Sequence, residues 1–247
     1  MKRWLKITLL TLVSLIALVS LLGWLMHEKR PQGSPGSQAE ALTEKMLRAV
    51  DAAAWDSIEV VSWNFGDRNL HIWDKKRHYA RVQWGSYDVL VDIDPRIGIA
   101  RKNGQIVTGK ASQKLVNQAW HRWANDSFWL NPIVKAVDPG TERSLIRLED
   151  GSEALLVTYT RGGATPGDSY LWIVDENGRP THWKMWVNIL PVGGLQFSWE
   201  NWLTLPGGAQ VATLRKGLFN VPIKDIKSGK IADVAPEGDP FAALEAI

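Results

Sequence analysis

The feature that most constrains this chain is an uncharged apolar run near its N-terminus, from about residue 7 to residue 26. Only five residues in the run are not apolar: Thr8, Thr11, Ser14, Ser20 and Gly23. A helix of about 20 residues, rising 1.5 Å per residue, crosses a hydrocarbon core of about 30 Å. We therefore predict one transmembrane anchor over residues 1–27.

The flanking charges predict the orientation of this anchor. Three basic residues lie within the first six positions, whereas Lys29 and Arg30 beyond the run are partly offset by Glu28. This bias favours a cytoplasmic N-terminus. We expect a single-pass protein of the inner (cytoplasmic) membrane, with its C-terminal domain facing the periplasm or exterior. A cleaved signal peptide is the alternative, although its apolar region is shorter, about 7–15 residues, and ends in a small-x-small site.

Charge and cysteine content exclude several classes of protein. Residues 1–30 carry a net charge of +4 and the whole chain +3, so residues 31–247 carry −1. A nucleic-acid-binding domain normally has a basic surplus, so we expect no nucleic-acid partner. The chain has no cysteine, which excludes disulfides, thiolate metal sites and a lipid-modified N-terminal cysteine.

The remaining chain divides into three parts. Residues 28–38 are rich in Pro, Gly, Ser and charge, which predicts a flexible linker. Residues 39–227 form one domain, long enough for a substantial core. Residues 228–247 are rich in Ala, Gly, Pro and Asp, which predicts a loose tail. Helical periodicity predicts helices over residues 38–54 and 112–123.

Between the helices the period of the apolar residues changes to two. Short alternating segments, separated by turn residues at about ten-residue spacing, predict an antiparallel meander of four strands before the second helix and five or six strands after it. Residues 154–159 and 170–174 are apolar on both faces, which predicts central strands covered on both sides. A sheet of nine or ten twisted strands must curl. The predicted fold is α+β: a large curled antiparallel sheet, an incomplete barrel, with two or more helices on its concave side.

One stretch of this pattern resembles the LolA/LolB-like superfamily of bacterial lipoprotein carriers. After the first helix, a strand ends in Asn64-Phe65, and a hairpin follows that contains His71-Ile72-Trp73-Asp74 and Tyr79-Ala80-Arg81-Val82-Gln83-Trp84. The resemblance implies an incomplete barrel with helices as a lid, and acyl chains held between them. Those carriers are soluble or lipid-anchored, so the transmembrane anchor here argues against a shuttling role.

Tryptophan is the other unusual feature, with 14 in the chain, 12 of them beyond the anchor. Indole rings supply large apolar area with one polar N–H. We predict a cavity that binds an apolar ligand, either a lipid or a lipoprotein acyl chain. The candidate aromatic lining residues are Trp63, Phe65, Trp84, Trp120, Trp123, Trp172, Trp186 and Trp199. Thr165, Asp168 and Tyr170, in a glycine-rich loop over residues 161–170, are the candidate polar contacts at the rim.

Catalytic and metal motifs are not convincing in this sequence. Gly167-Asp168-Ser169 resembles an esterase block but lacks its late Asp-x-x-His, and the five histidines have no ligand spacing. We therefore expect no enzyme activity, no cofactor and no metal. Two alternatives to lipid binding stay open: a structural or interaction subunit of an envelope complex, and a carbohydrate-binding module that uses exposed indoles.

Overall fold

The computed structural model describes residues 2–161 and 165–246, beginning with a long apolar helix, α1 (Lys2–Met26). Residues Lys6–Met26 have a mean hydropathy of 2.4, and the apolar window is not buried against the rest of the chain. By length and composition this segment is a candidate membrane anchor or signal sequence. The type of membrane and the orientation stay predictions.

The described residues after α1 form one thirteen-stranded antiparallel sheet. Its strands are β1 (Val60–Phe65), β2 (Asn69–Asp74), β3 (Tyr79–Trp84), β4 (Tyr87–Asp92), β5 (Ile97–Lys102), β6 (Gln105–Val107), β7 (Thr141–Arg147), β8 (Glu153–Tyr159), β9 (Ser169–Val174), β10 (Pro180–Trp186), β11 (Leu195–Thr204), β12 (Gln210–Lys216) and β13 (Asn220–Gly229). Their order in space is β6-β5-β4-β3-β2-β1-β13-β12-β11-β10-β9-β8-β7. Because β6 and β7 lie at opposite edges, the sheet is not closed into a barrel.

The two longest helices after α1 cover one face of this sheet, which we call the inner face; the opposite face is the outer face. The helices after α1 are α2 (Ser37–Ala49), α3 (Ala52–Ser57), α4 (Gly109–Leu130) and a single turn, α5 (Ile231–Val234). α2 packs on β7 and β8, whereas α4 packs on β3, β4 and β5. The predicted α+β class and the large antiparallel sheet are confirmed.

The helix predicted over residues 38–54 is two helices. Asp51 has a positive φ of 50°, and its carboxylate accepts a hydrogen bond from the Ala54 N–H at 3.1 Å, which caps α3. Aspartate tolerates this left-handed conformation and is a favoured cap. The second predicted helix is longer than expected, because α4 continues to Leu130 through residues predicted as a loop.

Three strands are additional to the predicted nine or ten: β5, β6 and β13. β13 pairs with β1, from Val60 opposite Gly229 to Phe65 opposite Ile223, and so joins the two halves of the sheet. β8 and β9 are covered on both faces, as predicted, but β8 is second from the edge. Their apolar pattern therefore indicates that both faces are covered, not that the strands are central in the sheet.

The segment expected to be a flexible linker is held against the outer face. The Glu28 carbonyl accepts a hydrogen bond from the Trp186 indole at 2.7 Å, and the Arg30 guanidinium donates to Ser169 Oγ at 3.1 Å. Ser34 exchanges two backbone hydrogen bonds with Leu145, of 3.0 and 2.8 Å. Short hydrogen bonds and an edge pairing therefore fix a sequence whose composition suggests disorder.

The C-terminal tail is also packed rather than loose. Phe241 is fully buried on the outer face against Leu90 and its neighbours. Arg77 forms ion pairs with Asp239 at 2.7 Å and with Glu245 at 3.0 Å. The buried Phe241 ring and the two ion pairs hold the tail on the sheet, although its Ala- and Pro-rich composition predicts a loose segment.

Candidate functional site

Seven aromatic rings on the inner face of strands β8 to β11 and two from the end of α4 form a continuous group, which we call the aromatic cluster. Its members are Phe128, Trp129, Tyr159, Tyr170, Trp172, Trp183, Phe197, Trp199 and Trp202. Neighbouring ring centroids in the cluster lie 4.8–6.1 Å apart, the separations of favourable stacked and edge-to-face aromatic pairs. A large sheet with a buried aromatic cluster fits a fold that binds hydrophobic ligands.

The strand register explains why these rings meet. Trp183 of β10 lies directly opposite Trp172 of β9 on one side and Phe197 of β11 on the other. Directly opposite residues in antiparallel strands place their side chains on the same face, about 4.5–5.5 Å apart at Cβ. Trp183 is fully buried at the centre of the cluster and contacts five rings: Phe128, Trp129, Tyr170, Trp172 and Trp199.

Helix α2 and the segment after α4 close the cluster from above. Ala39, Leu42 and Met46 of α2 belong to the same apolar core as the rings, as do Ile133 and Ala136. Ala39, Met46, Ile133 and Ala136 are fully buried. The cluster therefore lies between the sheet and a thin helical layer.

Several polar atoms inside this core have no hydrogen-bond partner among the described residues. The indole N–H groups of Trp172, Trp183 and Trp199 are buried without an acceptor, as are those of Trp63 and Trp123 nearby. An unmet buried donor costs about 1–3 kcal/mol. Four of these five donors lie on the inner face of the sheet and the fifth lies on α4, so the layer between sheet and helices contains several unpaired N–H groups.

A buried cation borders the aromatic cluster. Arg215 of β12 lies opposite Trp199 of β11, and its guanidinium carbon stands 3.7 Å from the centroid of that indole. Its Nη atoms donate to the carbonyls of Ala212 at 2.6 Å and Trp129 at 2.9 Å, while its Nε–H has no partner in the described part of the chain. Burial lowers the pKa of Arg215 to about 9, so the group stays charged at neutral pH.

No carboxylate of the described residues pairs with Arg215. Its two carbonyl partners near the end of α4, at Trp129 and Leu130, give it one structural role. Cations near a helix C-terminus satisfy the last carbonyls and oppose the helix dipole. That role leaves a full positive charge in an apolar core without a negative partner.

A second buried polar group lies beneath Trp63. The indole stacks on the His71 ring, with centroids 4.5 Å apart and planes inclined by 13°. His71 Nε2 lies 2.7 Å from Asp126 Oδ2, which also accepts from Asn69 Nδ2 at 2.7 Å. His71 Nδ1 has no hydrogen-bond partner within residues 2–161 and 165–246. These residues tie α4 to β2.

Three predicted lining residues, two on α4 and one on β3, lie outside the aromatic cluster. Trp120 is buried and donates its N–H to the Ile93 carbonyl at 3.1 Å, under the Arg96 guanidinium. Trp123 packs against Trp120, and half-buried Trp84 lies beneath the Arg122 guanidinium. Half-buried Phe65 contacts both the aromatic cluster's core and the core around Trp63.

Two predicted rim residues connect neighbouring loops. The Asp168 carboxylate accepts from Thr165 Oγ1 and from the backbone N–H of Asn188 at 2.8 Å. The Asn188 amide donates to the Pro166 carbonyl at 2.8 Å. Asp168 thus fastens the loop before β9 to the loop after β10. Residues 162–164 of the predicted rim loop lie outside the described residues.

The structure gathers Tyr170, Trp172 and Trp199 in the aromatic cluster and places Trp186 elsewhere. Trp186 lies on the outer face, packed with Ile146, Leu156 and Leu171. Side chains alternate along a strand, so Trp183 and Trp186, three residues apart, point to opposite faces. That the eleven predicted residues contact a ligand stays a prediction.

Comparisons with known proteins do not assign a family. No family model matches the chain, and no curated protein matches it. Among solved structures, a DUF1329 family protein from Desulfovibrio piger aligns with a TM-score of 0.42 and 10% sequence identity, covering 81% of this chain and 96% of that chain. This score is too low to support an argument, so membership of the LolA/LolB-like superfamily stays a prediction.

Sequence reasoning missed the centre of the aromatic cluster. Trp183, Trp129 and Phe128 were not among the predicted site residues, and neither was Arg215. Trp183 and Trp186 lie three residues apart in one strand, and no local pattern indicates which of the two faces the cluster. Phe128 and Trp129 were assigned to a loop, and Arg215 gave no local sign that it would be buried.

The tyrosines of the aromatic cluster predict a loss of stability at alkaline pH. Burial, with a smaller effect of Asp168, raises the pKa of Tyr170 above its ordinary value of 10.0, and burial raises that of Tyr159. Above about pH 10 the unfolded chain releases these protons while the folded chain keeps them, so the free energy of unfolding should fall as pH rises.

Tyr170→Phe keeps the ring and removes one of the two ionisable groups. We expect urea denaturation between pH 8 and 11 to give this variant a shallower alkaline loss of stability than the wild type, with a constant offset below about pH 9. Parallel stability curves over the whole range would show that Tyr170 is not responsible for the alkaline loss.

Proposed function

We propose that this protein is a membrane-tethered envelope protein that binds an apolar ligand, a lipid or a lipoprotein acyl chain, at the aromatic cluster. The observation that carries the proposal is the combination of nine packed rings, three unpartnered indole donors and one unpaired buried cation. Ligand sites are typically apolar concavities with a few placed polar groups. We propose a binding role without catalysis, with the domain on the periplasmic or exterior side.

The charge of Arg215 favours a ligand with an acidic end. A fatty acid or a phospholipid has an apolar chain for the rings and an anionic oxygen for the guanidinium. Arginine binds carboxylate and phosphate through paired N–H donors, and its free Nε–H lies beside the Trp199 face. In this proposal, the acyl chain packs along Trp172 and Trp183, and the acidic group meets Arg215.

Entry of a ligand requires the helical layer or a loop to move. α2 contacts the sheet mainly at β7 and β8 and is followed by the left-handed turn at Asp51. The Asp168 link holds the loops beside Tyr170 together through one carboxylate. We propose that α2 acts as the cover of the site and that Asp168 holds its rim.

The tryptophan distribution argues against the carbohydrate-binding alternative. Trp4 and Trp24, both in α1, are exposed, whereas all 12 tryptophans beyond the anchor are buried or half-buried. A module that stacks sugars needs exposed, coplanar indoles. The structural-subunit alternative is retained, because a densely packed aromatic core also stabilises a domain that binds no ligand.

The test is lipid analysis of the purified full-length chain, followed by titration with a brominated fatty acid that quenches tryptophan fluorescence on contact. We expect co-purifying lipid at near-stoichiometric amounts and saturable quenching. Trp183→Phe should reduce the quenched amplitude, whereas Trp186→Phe, on the outer face, is the matched control and should not. A lipid-free protein without saturable quenching would overturn the proposal.

Arg215→Met tests the role of the buried cation. A hydrogen bond to a charged group contributes about 1.5–3 kcal/mol, which corresponds to about 10- to 150-fold in Kd. We expect the variant to weaken binding of the brominated fatty acid by this factor and to leave binding of its methyl ester unchanged. Equal effects on acid and ester would assign Arg215 to the structural role alone. Near-UV circular dichroism checks that the variant is folded.

A further inference from the structure

The end of α1 is fixed to one hairpin of the sheet, formed by β10, β11 and the loop over residues 187–194. The Glu28 N–H donates to the Gly193 carbonyl at 3.0 Å, and the Gly193 N–H donates to His27 Nδ1 at 3.1 Å. Lys184 of β10 forms an ion pair with Glu28 at 2.7 Å. A side chain at residue 193 would collide with the Trp186 ring and the Glu28 carbonyl, so the close approach requires glycine.

The same loop lies close to the apolar part of α1. A methyl group placed on Gly23 would lie 3.5 Å from Cγ2 of Val192, an ordinary van der Waals distance. Gly23 lies inside the candidate span Lys6–Met26. When that span is in a bilayer, Val192 therefore lies level with its last turn, at the boundary of the membrane.

Exposed apolar side chains are concentrated at this end of the sheet. Ile189 and Leu190 of the 187–194 loop are 74% and 37% exposed, and Leu218 and Phe219 of the turn between β12 and β13 are 73% and 53% exposed. The two tips are neighbours, because Ser198 near the start of β11 pairs with Lys216 at the end of β12. Phe219 contacts Phe197 of β11, with centroids 5.2 Å apart.

We infer that these two tips rest in the surface of the bilayer that holds α1. The four side chains (Ile189, Leu190, Leu218 and Phe219) form what we call the apolar tips. The occupant is a lipid surface because the tips continue the apolar surface of the span where Val192 lies beside Gly23. The inference rests on the proposed membrane tether, and it places the aromatic cluster, which begins at Tyr170 near the same end of the sheet, beside the lipids that would supply its ligand.

The chain has no cysteine, so single cysteines can be introduced into the full-length protein and labelled with an environment-sensitive fluorophore. Four variants are compared in vesicles of phosphatidylethanolamine and phosphatidylglycerol: Ile189→Cys and Leu218→Cys at the apolar tips, Leu15→Cys in the span, and Leu203→Cys. Leu203 is the matched control, since it is an exposed apolar residue, 40% accessible, near the opposite end of β11.

At positions 189 and 218 we expect blue-shifted emission, and quenching by lipids that carry a spin label just below the headgroup. At position 203 we expect neither a shift nor quenching. Position 15 should be quenched more strongly by a label deep in the acyl chain. Quenching at 15 without quenching at 189 and 218 would overturn the inference and leave the tether intact. Without quenching at 15, the tether and the inference both fail. Quenching at 203 equal to that at 189 would show non-specific adsorption and overturn the inference.

Discussion

Replacing Trp183 with alanine is expected to lower the free energy of unfolding by about 3–5 kcal/mol, the range for truncating a large buried aromatic side chain. Trp183 is fully buried and packs against five other rings, so the truncation removes contacts from both neighbouring strands and from the segment of α4 above. Its N–H has no acceptor among the described residues, so the loss is one of packing rather than of a hydrogen bond.

The measurement is urea denaturation of the full-length chain in detergent, followed by near-UV circular dichroism. Trp186→Ala is the matched control: it lies on the same strand, but it is half-buried on the outer face and donates to the Glu28 carbonyl. We expect a clearly smaller loss from Trp186→Ala. Equal losses from the two variants would contradict the assignment of the stabilising core to the inner face.

Local sequence patterns predicted the strands correctly where these are short, alternating and joined by tight turns. The predicted strands over residues 69–74 and 79–84 coincide with β2 and β3, which pair from Asn69 opposite Trp84 to Asp74 opposite Tyr79. A hairpin of this kind brings together residues that are close in the chain. Its register follows from the turn and from the apolar pattern.

Local patterns did not predict the ordered segments whose structural partners are distant in sequence. β13 contains Pro222, Asp225 and two lysines, so it resembles a loop, yet it pairs with β1 more than 150 residues earlier and joins the two halves of the sheet. For the same reason, local patterns did not predict that the tail and the segment after α1 are ordered. Their order depends on Phe241, Glu28 and Ser34 finding partners that no local pattern specifies.

The face of each strand was the other quantity that the sequence left undetermined. Residues 180–186 carry Trp183 and Trp186 on opposite faces, and an aromatic side chain suits either face of a covered sheet. Burial of Asp126 and Arg215 was likewise hidden, because charged residues are rarely buried unless paired. Whether these two side chains are buried depends on how α4 packs onto the sheet.

Asp126→Leu is expected to destabilise the protein by at least about 1–3 kcal/mol, the cost of leaving one buried donor without its acceptor. The carboxylate is buried on α4 and accepts three side-chain hydrogen bonds, from Asn69 at 2.7 Å, His71 at 2.7 Å and Asn125 at 2.8 Å. Leucine has a similar volume but no acceptor, so these donors would lose their partner while His71 and Asn69 stay buried under Trp63 and α4.

The double variant His71→Leu with Asp126→Leu separates the pair from the packing around it. Removing both partners of a buried hydrogen bond is less costly than removing one, because no donor is left without an acceptor. We therefore expect denaturation of the two single variants and the double variant to give a coupling energy above about 1 kcal/mol, within the range for residues in one network. Strictly additive losses would mean that the two side chains do not interact in solution. In that case α4 would be held on the sheet by Trp120, Trp123 and the carbonyls bound by Arg215, rather than by the hydrogen bond between His71 and Asp126.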